Sequence, residues 1–158
     1  MMQSVQNKAI NLEEQITTAQ SEIKIQEKRR ADLIPNLVDC VKAYDKHEYE
    51  TLLRVVEARG VDTDATAQHV KNLILSVAED YPELQSDKQY EKLMTELATT
   101  ENLIANVRSN YNIWVTQYNS HIRKFPNRQI LDMLGYIAGD YQKLNFNVSE
   151  DAPTNLFD

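Results

Sequence analysis

Residues 87–126 read DKQYEKLMTELATTENLIANVRSNYNIWVTQYNSHIRKFP, and this stretch decides the fold. Tyr90, Leu93, Leu97, Ile104, Val107, Tyr111, Trp114, Tyr118 and Phe125 fall on an alternating three-four ladder, and only Thr100 and His121 interrupt the apolar series at that spacing. Such a ladder keeps every rung on one stripe of an α-helix. Neither glycine nor proline occurs between Asp87 and Phe125, and Pro126 stops the run. Roughly 38 residues at 1.5 Å each predict a helix about 57 Å long, the spine of the domain.

Upstream, Val5, Ala9, Leu12, Ile16, Ala19 and Ile23 repeat the same spacing and predict a first helix over residues 4–30. Pro35 reads as a boundary, with Asp32 as the cap of a second helix. That helix runs through Leu37, Val38, Val41, Tyr44, Leu52 and Val55 to Arg59, and Gly60 closes it. Asp62-Thr63-Asp64 caps a third helix carrying Val70, Leu73, Ile74 and Val77, which ends before Tyr81-Pro82. Residues 127–138 predict a last short helix. The expected fold is therefore all-α, an antiparallel up-and-down four-helix bundle over residues 1–138, followed by a loosely docked polar tail over residues 139–158.

Composition agrees with long elements. Three glycines and four prolines in 158 residues leave little material for tight turns, and this length ordinarily makes one domain. Against 24 carboxylates stand 17 Lys and Arg, for a net charge of −7. A nucleic-acid binder needs a basic face to displace counterions, and the clusters Lys28-Arg29-Arg30 and Arg123-Lys124 are short. No nucleic-acid partner is expected. Cys40 is the single cysteine, which excludes an internal disulfide and a cysteine-based zinc site, and its apolar neighbours predict a small buried side chain.

Helical bundles can hold two metals through Glu-x-x-His, yet the residues three before His47, His69 and His121 are Tyr44, Thr66 and Tyr118. His47-Glu48 begins a zinc-protease pattern that fails at Thr51. There is no Gly-x-Ser-x-Gly elbow and no glycine-rich phosphate loop. No metal, cofactor or catalytic set is expected.

Two polar groupings remain. Arg29, Arg30, Asp32 and Asn36 form a candidate interaction corner between the first two helices; the alternative is a plain corner, with cations near a helix C-terminus and Asp32 as a cap. Asn112 and Asn119 recur seven residues apart on the flank of the spine, a candidate structural row that sets register, or else a partner-binding row.

Taken together, the run Arg29-Arg30-Ala31-Asp32-Leu33-Ile34-Pro35-Asn36-Leu37-Val38, then Val41-Lys42, His47-Glu48 and Glu57-Ala58-Arg59, resembles the LemA family of bacterial proteins. Ala78-Glu79, Tyr81-Pro82, Leu84, Leu97 and Glu101-Asn102 continue it. Ile104, Arg108, Tyr111-Asn112, Val115, Tyr118-Asn119, Ile122 and Phe125-Pro126 complete it. The resemblance spans roughly residues 12–126; beyond them Gly135-Tyr136 and Leu156-Phe157 match only loosely. It implies a four-helix bundle carried on an N-terminal transmembrane helix, anchored in a bacterial membrane, with no established activity or cofactor and one branch linked to magnetosome membranes.

The chain itself has no apolar run of 18 or more residues. Its heptad is already in phase at Val5, so the natural gene is expected to extend upstream into such a helix. Two classes of function stay open. One is a membrane-tethered structural or interaction module in membrane or envelope organisation, whose partner is another membrane or envelope protein. The other is a hydrolytic enzyme or ligand-binding receptor with an interhelical pocket. Oligomeric state and the side of the membrane are not legible.

Overall fold

A computed structural model describes residues 2–61 and 63–144. Those residues form six helices and no strand: α1 (Met2–Lys42), α2 (Lys46–Arg59), α3 (Asp64–Asp80), α4 (Pro82–Gln85), α5 (Lys88–Arg123) and α6 (Asn127–Met133). The expected break at Pro35 does not occur. α1 runs 41 residues straight through it. The physical reason lies in the phase of the stripe: Ile23, Arg30, Leu33, Ile34, Leu37, Val38 and Val41 are all buried, while Pro35 faces solvent. Proline forfeits one backbone hydrogen bond and crowds the preceding turn, at about 3 kcal/mol. Burial of the large side chains on either side, about 1.5–3 kcal/mol for each one, outweighs that.

The true turn is at residues 43–45, and Asp45 caps α2 by accepting the Glu48 N–H at 3.0 Å. Asp32 caps nothing; it is exposed in mid-helix and pairs with Lys28 at 3.2 Å. Gly60 closes α2 with φ 71°, its N–H donating to Val56 O at 2.7 Å. Thr63 caps α3 and Asp87 caps α5 through their side chains. α5 is 36 residues long, about 54 Å, close to the expected spine.

α1 and α5 run antiparallel along their whole length. Contacts that fix this are Val5 with His121, Glu13 with Tyr118, Glu27 with Arg108, Arg29 with Glu96, and Tyr44 with Asp87. The other elements cover the two halves of this pair separately. At one half, α2, α3 and α4 enclose an aliphatic core with Leu37, Leu52, Ile74, Leu84 and Leu97 at its centre. At the other half, α6 and the residues after it, including Tyr136 and Tyr141, lie over Ala9, Leu12, Ile16, Tyr111, Val115 and Tyr118. Two long helices, α1 of 41 residues and α5 of 36, thus carry two short ones, α2 of 14 and α3 of 17.

Tail residues 139–144 make specific contacts. The Gly139 N–H donates to Tyr118 Oη at 2.9 Å, the Tyr141 ring meets Tyr118 edge-on at 5.1 Å, and Leu144 is held by Asn112. The expectation of loose docking over residues 145–158 lies outside the described residues. The ladder differs at Phe125, which lies beyond α5 and is 78% exposed, and at Val115, which is fully buried; its two polar rungs, Thr100 and His121, are buried with the apolar ones.

Candidate functional site

Between the two apolar cores the seam of the long helices turns polar. Ile23 on α1 is followed in phase by Gln26, Glu27 and Arg30, while Arg108 on α5 interrupts the series between Ile104 and Tyr111. α3 begins at the same height, so its first residue, Asp64, enters this layer. Arg108 grips Asp64 as a two-point fork, Nη1 to Oδ2 at 2.6 Å and Nη2 to Oδ1 at 2.9 Å. The Arg108 Nη2 also donates to Glu27 Oε2 at 2.8 Å. From the opposite flank Arg30, 5% exposed, brings Nη2 to 2.8 Å from Asp64 Oδ1. That contact is an ion pair without hydrogen-bond geometry: the Arg30 Nε and Nη2 and the Gln26 Oε1 are buried without hydrogen-bond partners among the described residues.

The electrostatics follow from this geometry. The Arg108 fork holds the Asp64 carboxyl down at about 2, from an ordinary 3.8, with partial burial opposing and Arg30 helping. The Arg108 guanidinium is pushed up in turn, chiefly by Asp64. A buried pair of this kind costs desolvation, and removing one partner strands the other. Two further bridges extend the layer: Lys71 with Glu101 at 2.7 Å, and Arg29 with Glu96 at 3.5 Å. Beside it opens a groove of about 480 Å³ lined by Gln20, Ile23, Lys24, Glu27, Asp64, Arg108, Tyr111 and Leu144.

A second polar knot lies in the α6 half. Glu13 Oε2 lies 3.0 Å from the Tyr118 hydroxyl and within hydrogen-bond reach of the Tyr136 hydroxyl, and the two phenol oxygens are 2.7 Å apart; with one proton each, the phenols satisfy two of these three contacts at a time. Burial first, and then the Glu13 carboxylate, push the Tyr136 phenol up. At the other extremity Tyr44 donates to the α5 cap Asp87 at 3.2 Å, and Tyr81 to the α2 cap Asp45 at 3.0 Å.

The residues singled out in the sequence are placed as follows. Arg29, Arg30, Asp32 and Asn36 do not form a corner, because no helix ends there. They lie in the middle of α1, and of the four only Arg30 is buried. Asn112 is half-buried and does not tie helix to helix: its Nδ2 donates to Leu144 O at 3.0 Å and its Oδ1 accepts the Leu144 N–H at 2.7 Å. Asn119 is half-buried on the same flank. Cys40 is half-buried against the aliphatic core, where burial pushes its thiol up.

Asp64, Glu27 and Arg108 were not singled out as site residues. The available signal was charge standing at seam positions of both long helices, visible only if α1 is read as unbroken. His121 is buried, its Nε2 2.9 Å from Val5 O, whereas His47 and His69 are exposed on different helices. Among the described residues no three His, Cys, Asp or Glu side chains gather to hold a metal, and no helix is long and apolar enough to cross a membrane.

Comparison with known proteins bears on this architecture. The LemA family matches over residues 19–157, well past the point where the sequence resemblance loosens and through the tail that Asn112 holds. A protein of Metamycoplasma hominis named LemA is 28% identical over 91% of this chain and 74% of its own length. Two proteins of Paramagnetospirillum magneticum, named magnetosome proteins MamQ 1 and MamQ 2, are 34% identical over 43% of this chain and 25% of theirs. With a match that takes in most of its length, the chain belongs to the LemA family.

Proposed function

We propose that this chain is a membrane-tethered structural and protein-interaction module of the LemA type, with no catalysis of its own. The observation that carries this reading is the waist. Its Arg30, Asp64, Arg108 and Glu27 are spent on joining α1, α3 and α5, and among the described residues no Ser, Cys or His lines the groove beside them. In this reading α1, α2, α3 and α5 act as an up-and-down four-helix bundle, which α1 and α5 prolong into a rod. The tether is a helix of about 20 apolar residues encoded upstream of Met1. The magnetosome name of two relatives suits a role in organising a bacterial membrane compartment.

Crosslinking of the full-length protein in its own membrane, followed by partner identification, tests the reading. A discrete membrane or envelope protein captured from the membrane fraction supports it. Recovery of the full-length protein in the soluble fraction only, or a hydrolytic activity lost in Arg108→Gln, overturns it.

The groove favours one second reading, a ligand-binding receptor. Its volume falls within the 300–1,000 Å³ usual for small-molecule sites, and Lys24, Arg108 and Tyr111 converge on it. A compound that raises the Tm of the wild type and leaves that of Lys24→Ala unchanged would favour it.

A further inference from the structure

The two ends of the rod carry opposite charge: residues 39–50 and 79–91, joined through Tyr44–Asp87 and Tyr81–Asp45, hold nine Asp and Glu against three Lys. α1 starts, α5 ends and α6 begins at one pole, as the contact of His121 with Val5 O and the packing of Leu131 with Ala9 and Leu12 require. Residues 2–12 and 119–131, which build that pole, contain Lys8, Arg123, Lys124 and Arg128 and no Asp or Glu, in a chain whose net charge is −7. All four basic side chains are exposed. Asp132 lines a surface pocket together with Arg123 and Arg128, Asp140 follows beyond α6, and Glu13 and Glu14 lie further along α1, Glu13 engaged by Tyr118 and Tyr136.

Large apolar side chains accompany this charge. Phe125 is 78% exposed at the bend between Lys124 and Pro126, Met133 75% at the end of α6, and Ile137 89% just beyond it. Isolated exposed hydrophobes are ordinary on a protein surface. Three within thirteen residues, each exposed by three-quarters or more and set beside Arg123, Lys124 and Arg128, make a mixed basic and apolar surface. Nucleic acid would use the cations and leave Met133 and Ile137 in water. An anionic bilayer surface uses both, the cations at the headgroups and the apolar side chains at the acyl boundary.

We propose that this pole is a docking surface for an anionic lipid bilayer, holding the rod upright with its acidic end outward. The inference rests on the tether reading only for its setting in the cell. Docking by this surface is a property of the chain as it stands and needs no anchor.

The test is sedimentation of the 158-residue chain with vesicles of equimolar phosphatidylcholine and phosphatidylglycerol, beside vesicles of phosphatidylcholine alone. Binding is expected to the anionic vesicles, and to weaken at high salt. Each basic group near such a surface is worth about fivefold, so Arg123→Gln with Lys124→Gln should weaken binding about 25-fold. Phe125→Ser should weaken it about tenfold by removing the apolar contact. Lys46→Gln with Lys88→Gln, an equal charge change at the far pole, should leave it within about twofold. All these positions are exposed, so melts should confirm unchanged folding. No preference for anionic vesicles, or equal losses from the two charge pairs, would overturn the proposal. Finding no apolar segment upstream in the gene would remove the tether and leave this result standing.

Discussion

The α2–α3 half and the α6 half are built on the same two long helices, yet they exclude water by different means. The first surrounds α1 and α5 with α2, α3 and α4, and the centre of its core is aliphatic: Leu37, Leu52, Val70, Ile74 and Leu97 are fully buried, with the tyrosines Tyr44, Tyr81 and Tyr90 at its margin. The second has only a seven-residue helix and a strip of tail to cover the pair. It therefore buries amphipathic residues that reach from the seam towards the surface, and their hydroxyls need partners. Tyr118, wholly buried, finds Glu13, Tyr136 and the Gly139 N–H. A thick layer can be made of shape alone, while a thin one has to be made of shape and hydrogen bonds.

The sharpest way to break the comparison is at the aliphatic core. Leu37→Ala should cost about 3–4 kcal/mol in urea unfolding, because four helices around Leu37 leave little freedom to collapse into the cavity. Leu12→Ala, in the thinner half, should cost nearer 2 kcal/mol, since α6 can settle inward. Equal losses would mean that the halves are equally rigid.

The waist between them comes next. Arg108→Ala should cost about 2–3 kcal/mol, because it strands Glu27, takes the fork away from α3 and leaves Asp64 only its ion pair with Arg30. The same network sets an acid limit. The Asp64 carboxyl is held below its unfolded value of 3.8, so its contribution is fully present above that value and disappears as pH falls through about 2. In Asp64→Asn, which should also be less stable at neutral pH, the urea midpoint should fall less steeply between those two pH values than in the wild type. An identical acid slope in both proteins would assign the limit to other carboxylates.

Smaller effects test whether the thin half depends on hydrogen bonds. Tyr136→Phe should lose about 1–2 kcal/mol by removing the donor to Glu13, and it should expose residues 136–144 to proteolysis. Asn112→Ala removes two hydrogen bonds to the Leu144 backbone at a half-exposed site. It should cost about 1 kcal/mol or less and release the tail without altering the α2–α3 half in hydrogen exchange.

Much of this architecture was legible in residue spacing. The three-four ladders of α1 and α5, the capping run that includes Thr63, the closure at Gly60 and the stop before Pro126 all follow from local backbone chemistry, which acts within one turn of helix. Pro35 was misread because a local cost was weighed without the tertiary gain opposing it. The stripe continues in phase through that residue, and the packing that rewards continuity comes from α2, α3 and α5. The false corner followed from the false break, and with it the reading of Arg30 as a surface charge.

What the sequence determined alone was the helical class, the long spine and the absence of familiar catalytic and metal motifs, since these depend on residue type and spacing along the chain. Only the tertiary structure decided that Arg30 and Arg108 converge on Asp64, that Asn112 holds the tail, and that the ends of the rod are oppositely charged. Those facts depend on which residues of distant segments stand at the same height. Height is set by the register between α1 and α5 and by where α3 begins, and neither is written in any one stretch of chain.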